Sequence, residues 1–202
     1  MTTAGTRRAG TTTLLLIQVV IGYEWLVSAL TKLSRGDFPA GLAAQLGDMS
    51  KDAPGWYRGL LTGVVVPHAD AFGWTIEITE LVAGVVLVAL ALVLLVRPAL
   101  RLPRPAILAA VAASAAALAM VANFELATGA GFGLSLGKDT FDEGVDLDTL
   151  MTGLQLALLL FWGAALRRPA QEPTSNSRSV SLSDIRSCDS SLQPTISGVG
   201  KP

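Results

Sequence analysis

The sequence has very few residues of the kinds that hold metals and redox groups. Its 202 residues include one cysteine, Cys188, and one histidine, His68. A single cysteine excludes an intrachain disulfide, a CxxC redox pair and a cysteine-rich metal or iron–sulfur site. A single histidine excludes a haem with two axial histidines, and zinc would need carboxylates or waters as its other ligands. The sequence therefore predicts no metal site and no covalently bound cofactor.

Charged residues are also scarce. Only 15% of the residues are charged, whereas 51% are hydrophobic, and soluble domains average about 25% charged. This deficit indicates a membrane protein with the lipid bilayer as its partner. The formal net charge of −1 gives no electrostatic reason to expect nucleic-acid binding.

Four hydrophobic stretches are long enough to cross a bilayer, whose hydrocarbon core of ~30 Å needs about 20 apolar residues in a helix. They are residues 13–33, 72–96, 107–126 and 147–166. The third is rich in alanine, and small residues allow helices to approach closely in lipid. We therefore predict an all-α fold, a polytopic membrane protein with a four-transmembrane-helix bundle over residues 13–168.

A cleaved signal peptide is the competing interpretation of the first stretch. The basic N-terminus and the small residues Val27-Ser28-Ala29 favour it. The acidic Glu24 within the apolar region, and the three hydrophobic stretches that follow, favour an uncleaved membrane helix instead.

The segments outside the spans differ in character. Residues 1–12 are predicted to be a short polar N-terminus, and residues 169–202, rich in Ser, Thr, Pro and Gly, a disordered tail. The first outer connection, residues 34–71, contains the apolar segment 56–66. Because 11 residues cannot span the membrane, we predict an interfacial or re-entrant segment there. Trp56, Tyr57 and Trp74 are expected at headgroup level.

Basic residues cluster at one set of helix ends. Those on the first side are Arg7, Arg8, Arg97, Arg101, Arg104, Arg167 and Arg168. On the other side, basic residues are spread over two longer loops that also contain many acids. The positive-inside rule therefore predicts that both termini are cytoplasmic and both long loops are outside.

Several polar residues of the spans fall at similar depth. With a rise of ~1.5 Å per residue, Glu24 lies at mid-membrane. Glu77 and Glu80 are three residues apart and so share a helix face. The residues predicted in the outer half of the bundle are Lys32, Glu77, Glu80, Asn123 and Glu125, with His68 and Asp70 at its rim and Arg35 at the outer face. If their helix faces converge, they form a polar cavity that opens to the outside or to the outer leaflet.

Intramembrane carboxylates are costly and are often functional. We take Glu80, Glu77 and Glu24 as candidate catalytic residues that supply protons or orient a substrate. The candidate substrate-binding residues are Lys32, Arg35, His68, Asn123 and Glu125.

Purely structural interpretations compete with these roles. Lys32 and a glutamate can form an ion pair that fixes helix register, and Asn123 can join helices. Glu125 can lie in water at the interface, and His68 can be a loop contact.

Several short motifs resemble the DoxX/DoxD-like membrane proteins, most nearly the DoxD-type subunit of thiosulfate:quinone oxidoreductase. They are Gly22 with Lys32-Leu33 at the end of the first span, Pro67-His68-Ala69 before the second, and Glu80 with Gly84 within it. The resemblance covers roughly residues 12–166 and departs from the family at Glu24-Trp25. It implies four helices in a bacterial cytoplasmic membrane and an association with quinone-linked oxidation of sulfur compounds.

Three functional hypotheses follow. The first is a membrane subunit of a quinone-reducing oxidoreductase, with quinone as substrate and electrons from thiosulfate or a partner. The second is a non-catalytic accessory or assembly subunit of a respiratory or redox complex. The third is a small proton-coupled transporter, because buried carboxylates suit proton relays. Four helices without an internal repeat argue against a transporter unless the protein forms a homo-oligomer.

Overall fold

A computed structural model describes residues 3–129 and 147–167, and within them all regular structure is helical. The α-helices are α1 (Thr3–Arg35), α2 (Phe38–Met49), α3 (Gly55–Leu60), α4 (Ala69–Val96), α5 (Arg104–Thr128) and α6 (Leu147–Leu166). Four stretches within them are long and apolar enough to cross a membrane: Ala9–Arg35, Gly55–Val96, Arg104–Thr128 and Thr149–Leu166. The chain is thus an all-α, multi-pass membrane protein, as the sequence predicts.

The helix boundaries differ from the predicted spans mainly at the N-terminal side. Helix α1 begins at Thr3, ten residues before the predicted start of the first span, so residues 3–12 are helical. Hydrophobicity marks where a helix crosses lipid, whereas backbone hydrogen bonding continues into water. The last span agrees with α6, while the predicted disordered tail and most of the connection between α5 and α6 lie outside the described residues.

Helices α1 and α4 pack closely because two glycines lie at their contact. A Cβ added to Gly84 would lie 2.8 Å from the backbone nitrogen of Leu26 and 2.9 Å from the carbonyl oxygen of Gly22. A Cβ on Gly22 would lie 3.0 Å from the backbone nitrogen of Val88. Such backbone proximity is the usual result of small residues at helix interfaces in lipid.

A buried glutamine joins three helices. The side-chain amide of Gln18 in α1 donates a hydrogen bond to the carbonyl oxygen of Leu87 in α4, at 2.8 Å. Its Oε1 accepts a hydrogen bond of 3.0 Å from the indole N–H of Trp162 in α6. Both polar side chains are thereby satisfied in a place that water does not reach.

Helix α2 is an element that the sequence analysis missed. It begins with Phe38-Pro39, and the backbone of Pro39 lies against Gly73 of α4, where a Cβ would be 2.5 Å away. Beyond its C-terminus, the guanidinium of Arg58 donates to the carbonyl oxygens of Ser50 (2.8 Å) and Ala53 (3.1 Å). Arg58 thus binds carbonyl oxygens of the short segment that joins α2 to α3.

The predicted interfacial segment is helical and two-sided. After α3, the chain forms a π-helical turn (Leu61–Val65) and a 3₁₀ turn (Val66–His68) before α4 begins. Tyr57 and Leu61 are buried, whereas Trp56, Leu60 and Val64 are exposed. The segment therefore packs on the bundle with one face and presents an apolar stripe on the other. Tyr57 belongs to the packed face, so it does not join Trp56 in an exposed aromatic belt.

We expect Gly84→Ala to destabilise the protein, because the added methyl group would meet the backbone of α1. Overpacking of this kind costs typically ~1–3 kcal/mol. Gly153→Ala in α6 is the matched control, since a Cβ there meets nothing within 4 Å, and alanine favours helix by up to about 1 kcal/mol. Thermal unfolding in detergent should give a lower midpoint for the first variant and an equal or higher one for the second. Equal midpoints for Gly84→Ala and the parent would contradict the close α1–α4 contact.

Candidate functional site

A cleft of about 610 Å³ lies between α1 and α6, with α5 behind it. Val20 of α1 and Leu150 of α6 line it and are 68% and 51% exposed, so the cleft opens on the outer surface of the bundle, which faces lipid. Its apolar lining consists of Ile17, Val20, Ile21 and Trp25 of α1, Val121 and Phe124 of α5, and Leu150, Met151 and Leu154 of α6. The cleft is therefore suited to an apolar molecule that enters from the bilayer.

One wall of the cleft carries polar residues. Glu24, Ser28 and Lys32 are spaced four residues apart on α1, so they form a ladder on one helix face, and Glu80 of α4 joins them. Ser28 was missed by the sequence analysis. Its position midway between Glu24 and Lys32 on the same face was a signal that could have identified it.

The carboxylate of Glu80 is buried beside the cleft. Its side chain is 1% exposed, and both oxygens accept hydrogen bonds. Oε1 forms an ion pair with Nζ of Lys32, and Oε2 accepts from the hydroxyl of Ser28 at 3.1 Å. A buried carboxylate with a cation and a second donor is compensated in charge and fixed in orientation.

Lys32 lies at a junction between two cavities. Its side chain is 20% exposed, and Nζ lies 4.6 Å from the centroid of the Phe38 ring. Besides the cleft, it lines an outer pocket of about 240 Å³ together with Arg35, Asp37 and Gln45. Arg35 and Asp37 are exposed, so this pocket faces water. The ammonium group of Lys32 thus connects a water-facing pocket with a lipid-facing cleft.

Glu77 and Glu125 are buried away from the cleft lining. Glu77 is 1% exposed, and neither of its carboxylate oxygens has a hydrogen-bond partner within the described residues. Glu125 is 0% exposed, and its Oε1 accepts a hydrogen bond of 2.8 Å from the hydroxyl of Thr149, which ties α5 to α6. Glu125 is therefore not an interfacial residue in water.

Asn123 and His68 also lie outside the cleft. The Oδ1 of Asn123 accepts a hydrogen bond of 2.7 Å from the hydroxyl of Tyr57, so it joins α5 to α3. Asn123 lines a smaller cavity of about 190 Å³ below α2 and α3, and Phe124 lines both this cavity and the cleft. His68 is exposed in the 3₁₀ turn before α4.

The structure thus brings together only part of the predicted site. Glu24, Lys32 and Glu80 share the cleft, and Arg35 lies in the adjoining outer pocket. Depth along a helix does not decide which candidates meet, because that depends on the rotation of each helix.

Comparisons with known proteins leave the site to be interpreted from its own geometry. No family model, no curated protein and no solved structure matches the chain. Among residues 3–129 and 147–167, no group of three or more His, Cys, Asp or Glu side chains could hold a metal ion.

The Lys32–Glu80 pair should show strong energetic coupling. Lys32→Met leaves the buried carboxylate with Ser28 alone, and loss of one partner of a buried pair costs roughly 3 kcal/mol or more. Adding Glu80→Gln removes the uncompensated charge, so the double variant should be more stable than Lys32→Met alone. Denaturant unfolding of the four proteins should give a coupling energy within about 0.5–3 kcal/mol. Additive effects would show that the pair is not a unit.

Proposed function

We propose that the chain is an integral membrane subunit of quinone-dependent oxidoreduction, similar in type to thiosulfate:quinone oxidoreductase, and that the cleft between α1 and α6 binds the quinone. One observation carries this proposal: an apolar, lipid-open cleft ends at a buried ion pair. Its volume of about 610 Å³ lies within the ~300–1,000 Å³ range of ligand pockets. A quinone has an apolar tail that stays in lipid and a head that needs hydrogen-bond donors, and the cleft offers both environments.

The polar wall suits the chemistry of the quinone head. Reduction of a quinone to a quinol takes up two electrons and two protons, and the protons end on the two former carbonyl oxygens. The Lys32 ammonium has three N–H groups, so it can hold Glu80 and still donate to a quinone oxygen. Glu80 and Ser28 position this ammonium, and Glu24 adds a carboxyl group further along the cleft that can exchange protons.

Protons would reach the cleft from the water-facing outer pocket. Lys32 lines both cavities, so it is the described group through which a proton can pass from one to the other. Lys32 and Arg35 also attract anions to that pocket. With thiosulfate as reductant, two thiosulfate ions become one tetrathionate and release the two electrons, while the quinone takes them with two protons.

The setting of this activity is part of the same proposal. The arginine-rich helix ends favour cytoplasmic termini, and the DoxX/DoxD resemblance favours a bacterial cytoplasmic membrane. The outer pocket and the polar end of the cleft would then lie on the extracytoplasmic side.

An accessory subunit of a respiratory or redox complex is the second candidate. The chain has one cysteine and one histidine, so its own residues offer few ligands for a haem or a cluster, and a partner is a natural source of electrons. Purification in a mild detergent distinguishes the two cases. A co-purifying redox protein would favour the accessory role, and a homogeneous lone species that reduces quinone would exclude it.

Filling the cleft should weaken quinone binding. Leu154 lines the cleft, so Leu154→Trp should fill it and weaken the binding of a short-chain quinone analogue at least tenfold. Leu160→Trp is the matched control, because Leu160 is on the same helix, is 64% exposed and does not line the cleft. Fluorescence titration of detergent-solubilised protein measures both affinities. Equal affinities for the two variants would remove the cleft from the proposal.

Glu80→Gln should lower the rate of quinone reduction by thiosulfate by roughly tenfold or more, because a neutral amide holds the Lys32 ammonium that donates to the quinone oxygen less firmly than a carboxylate does. The loss should appear in kcat more than in KM, because glutamine keeps the shape of the site but not its charge. Asp48→Asn, an exposed change at the end of α2, should leave the rate as in the parent. A parental kcat in Glu80→Gln would exclude a role for this carboxylate in the reaction.

A further inference from the structure

A second groove lies at the opposite end of the bundle. Helices α1 and α4 run antiparallel, with Lys32 beside Glu80 at one end and Gly22 beside Val88 further along. Beyond this contact, near the start of α1 and the end of α4, they leave a groove of about 670 Å³. It is lined by Thr11, Thr12 and Leu15 of α1, by Leu94 and Leu95 of α4, and by Pro98 and Ala99 of the following turn. The apolar part of this lining and the size of the groove suit a hydrocarbon chain.

Within the described residues, the charged side chains near this end of the spanning helices are all basic. The sequence contains no Asp or Glu in residues 1–23, 81–124 or 149–171, which cover this end of every spanning helix. The same ranges contain seven arginines and no lysine. Arg97 and Arg101 flank the groove residues Pro98 and Ala99, and Arg97, Arg101, Arg104 and Arg167 are exposed. These stretches of the sequence therefore contribute positive side-chain charge to this end of the bundle.

Arginine and lysine differ in the anions that they favour. The planar guanidinium group binds phosphate oxygens through two parallel hydrogen bonds, whereas lysine acts as a compact point charge. Basic pockets between membrane helices are a recognised site for the head groups of anionic lipids. An apolar groove that ends at arginines thus offers an environment for each half of a phospholipid.

We propose that the groove between the start of α1 and the end of α4 binds one anionic phospholipid. An acyl chain lies along Leu15, Leu94 and Leu95, and the phosphate lies at the turn that carries Arg97 and Arg104. The site is independent of the proposed quinone chemistry, because it shares no lining residue with the cleft or the outer pocket.

Native mass spectrometry of the full chain tests the site directly. The detergent-solubilised protein is titrated with phosphatidylglycerol and, separately, with phosphatidylcholine of the same acyl chains. The parent should bind the first lipid more tightly. Arg97→Gln with Arg104→Gln should weaken phosphatidylglycerol binding roughly fivefold per arginine, from about 1 kcal/mol for each charge near a lipid surface. Phosphatidylcholine binding should change little.

A groove-filling variant distinguishes lipid binding within the groove from unspecific attraction of lipid head groups to the arginines. Ala99→Trp should weaken phosphatidylglycerol binding while the arginines remain. Val82→Trp, a change at a 53% exposed position of α4 outside the groove, should not. Circular dichroism checks that the variants fold, and Leu95→Gln, which makes the groove polar, gives a second test if Ala99→Trp does not fold.

Two results would overturn the proposal. One is parental phosphatidylglycerol affinity in both groove variants, which would mean that the arginines attract head groups without the groove. The other is complete displacement of the lipid by inorganic phosphate, which would mean that the site recognises a free anion rather than a phospholipid.

Discussion

The buried carboxylate of Glu80 is the constraint on which the arrangement of this bundle depends. An ionised carboxylate within a membrane helix needs a cation and donors close by, because lipid supplies neither. Lys32 and Ser28 supply them from α1, and they reach Glu80 because Gly22 and Gly84 allow the backbones of α1 and α4 to come close. The packing of small residues and the placement of charge thus support each other, and a change in either would move the polar end of the cleft.

Much of the fold could be predicted from composition and hydrophobicity. The four spans were recognised because lipid demands long apolar helices with satisfied backbones, a constraint strong enough to be visible in a single sequence. Helix α2 was not recognised, since its packing depends on the contact of Pro39 with Gly73 across the chain. Local propensity alone does not reveal such a contact.

The sequence does not show which polar residues of the site meet one another. Counting residues predicts a similar depth for Glu77, Glu80 and Glu125, and the structure shows that all three are buried. Their different surroundings come from helix rotation, which tertiary packing sets. Glu80 meets Lys32 and Ser28, whereas Glu125 meets Thr149 and Glu77 has no partner among the described residues. Ser28 was recognised as part of the site only from the structure, in which the face of α1 that carries Glu24, Ser28 and Lys32 lines the cleft.

The hydrogen bond from Trp162 to Gln18 has a mechanical consequence for the cleft. It fastens α1 to α6 at the level of Ile17, the inner limit of the cleft, while the opposite limit, near Leu150 and Lys32, has no comparable tie within the described residues. Because α1 and α6 are joined near Ile17, any widening of the cleft would be greatest at the opposite limit, near Leu150 and Lys32. The polar wall with Lys32 lies at the limit of the cleft where no such bond between described residues joins α1 and α6, so widening would change the polar part of the cleft more than the part near Ile17.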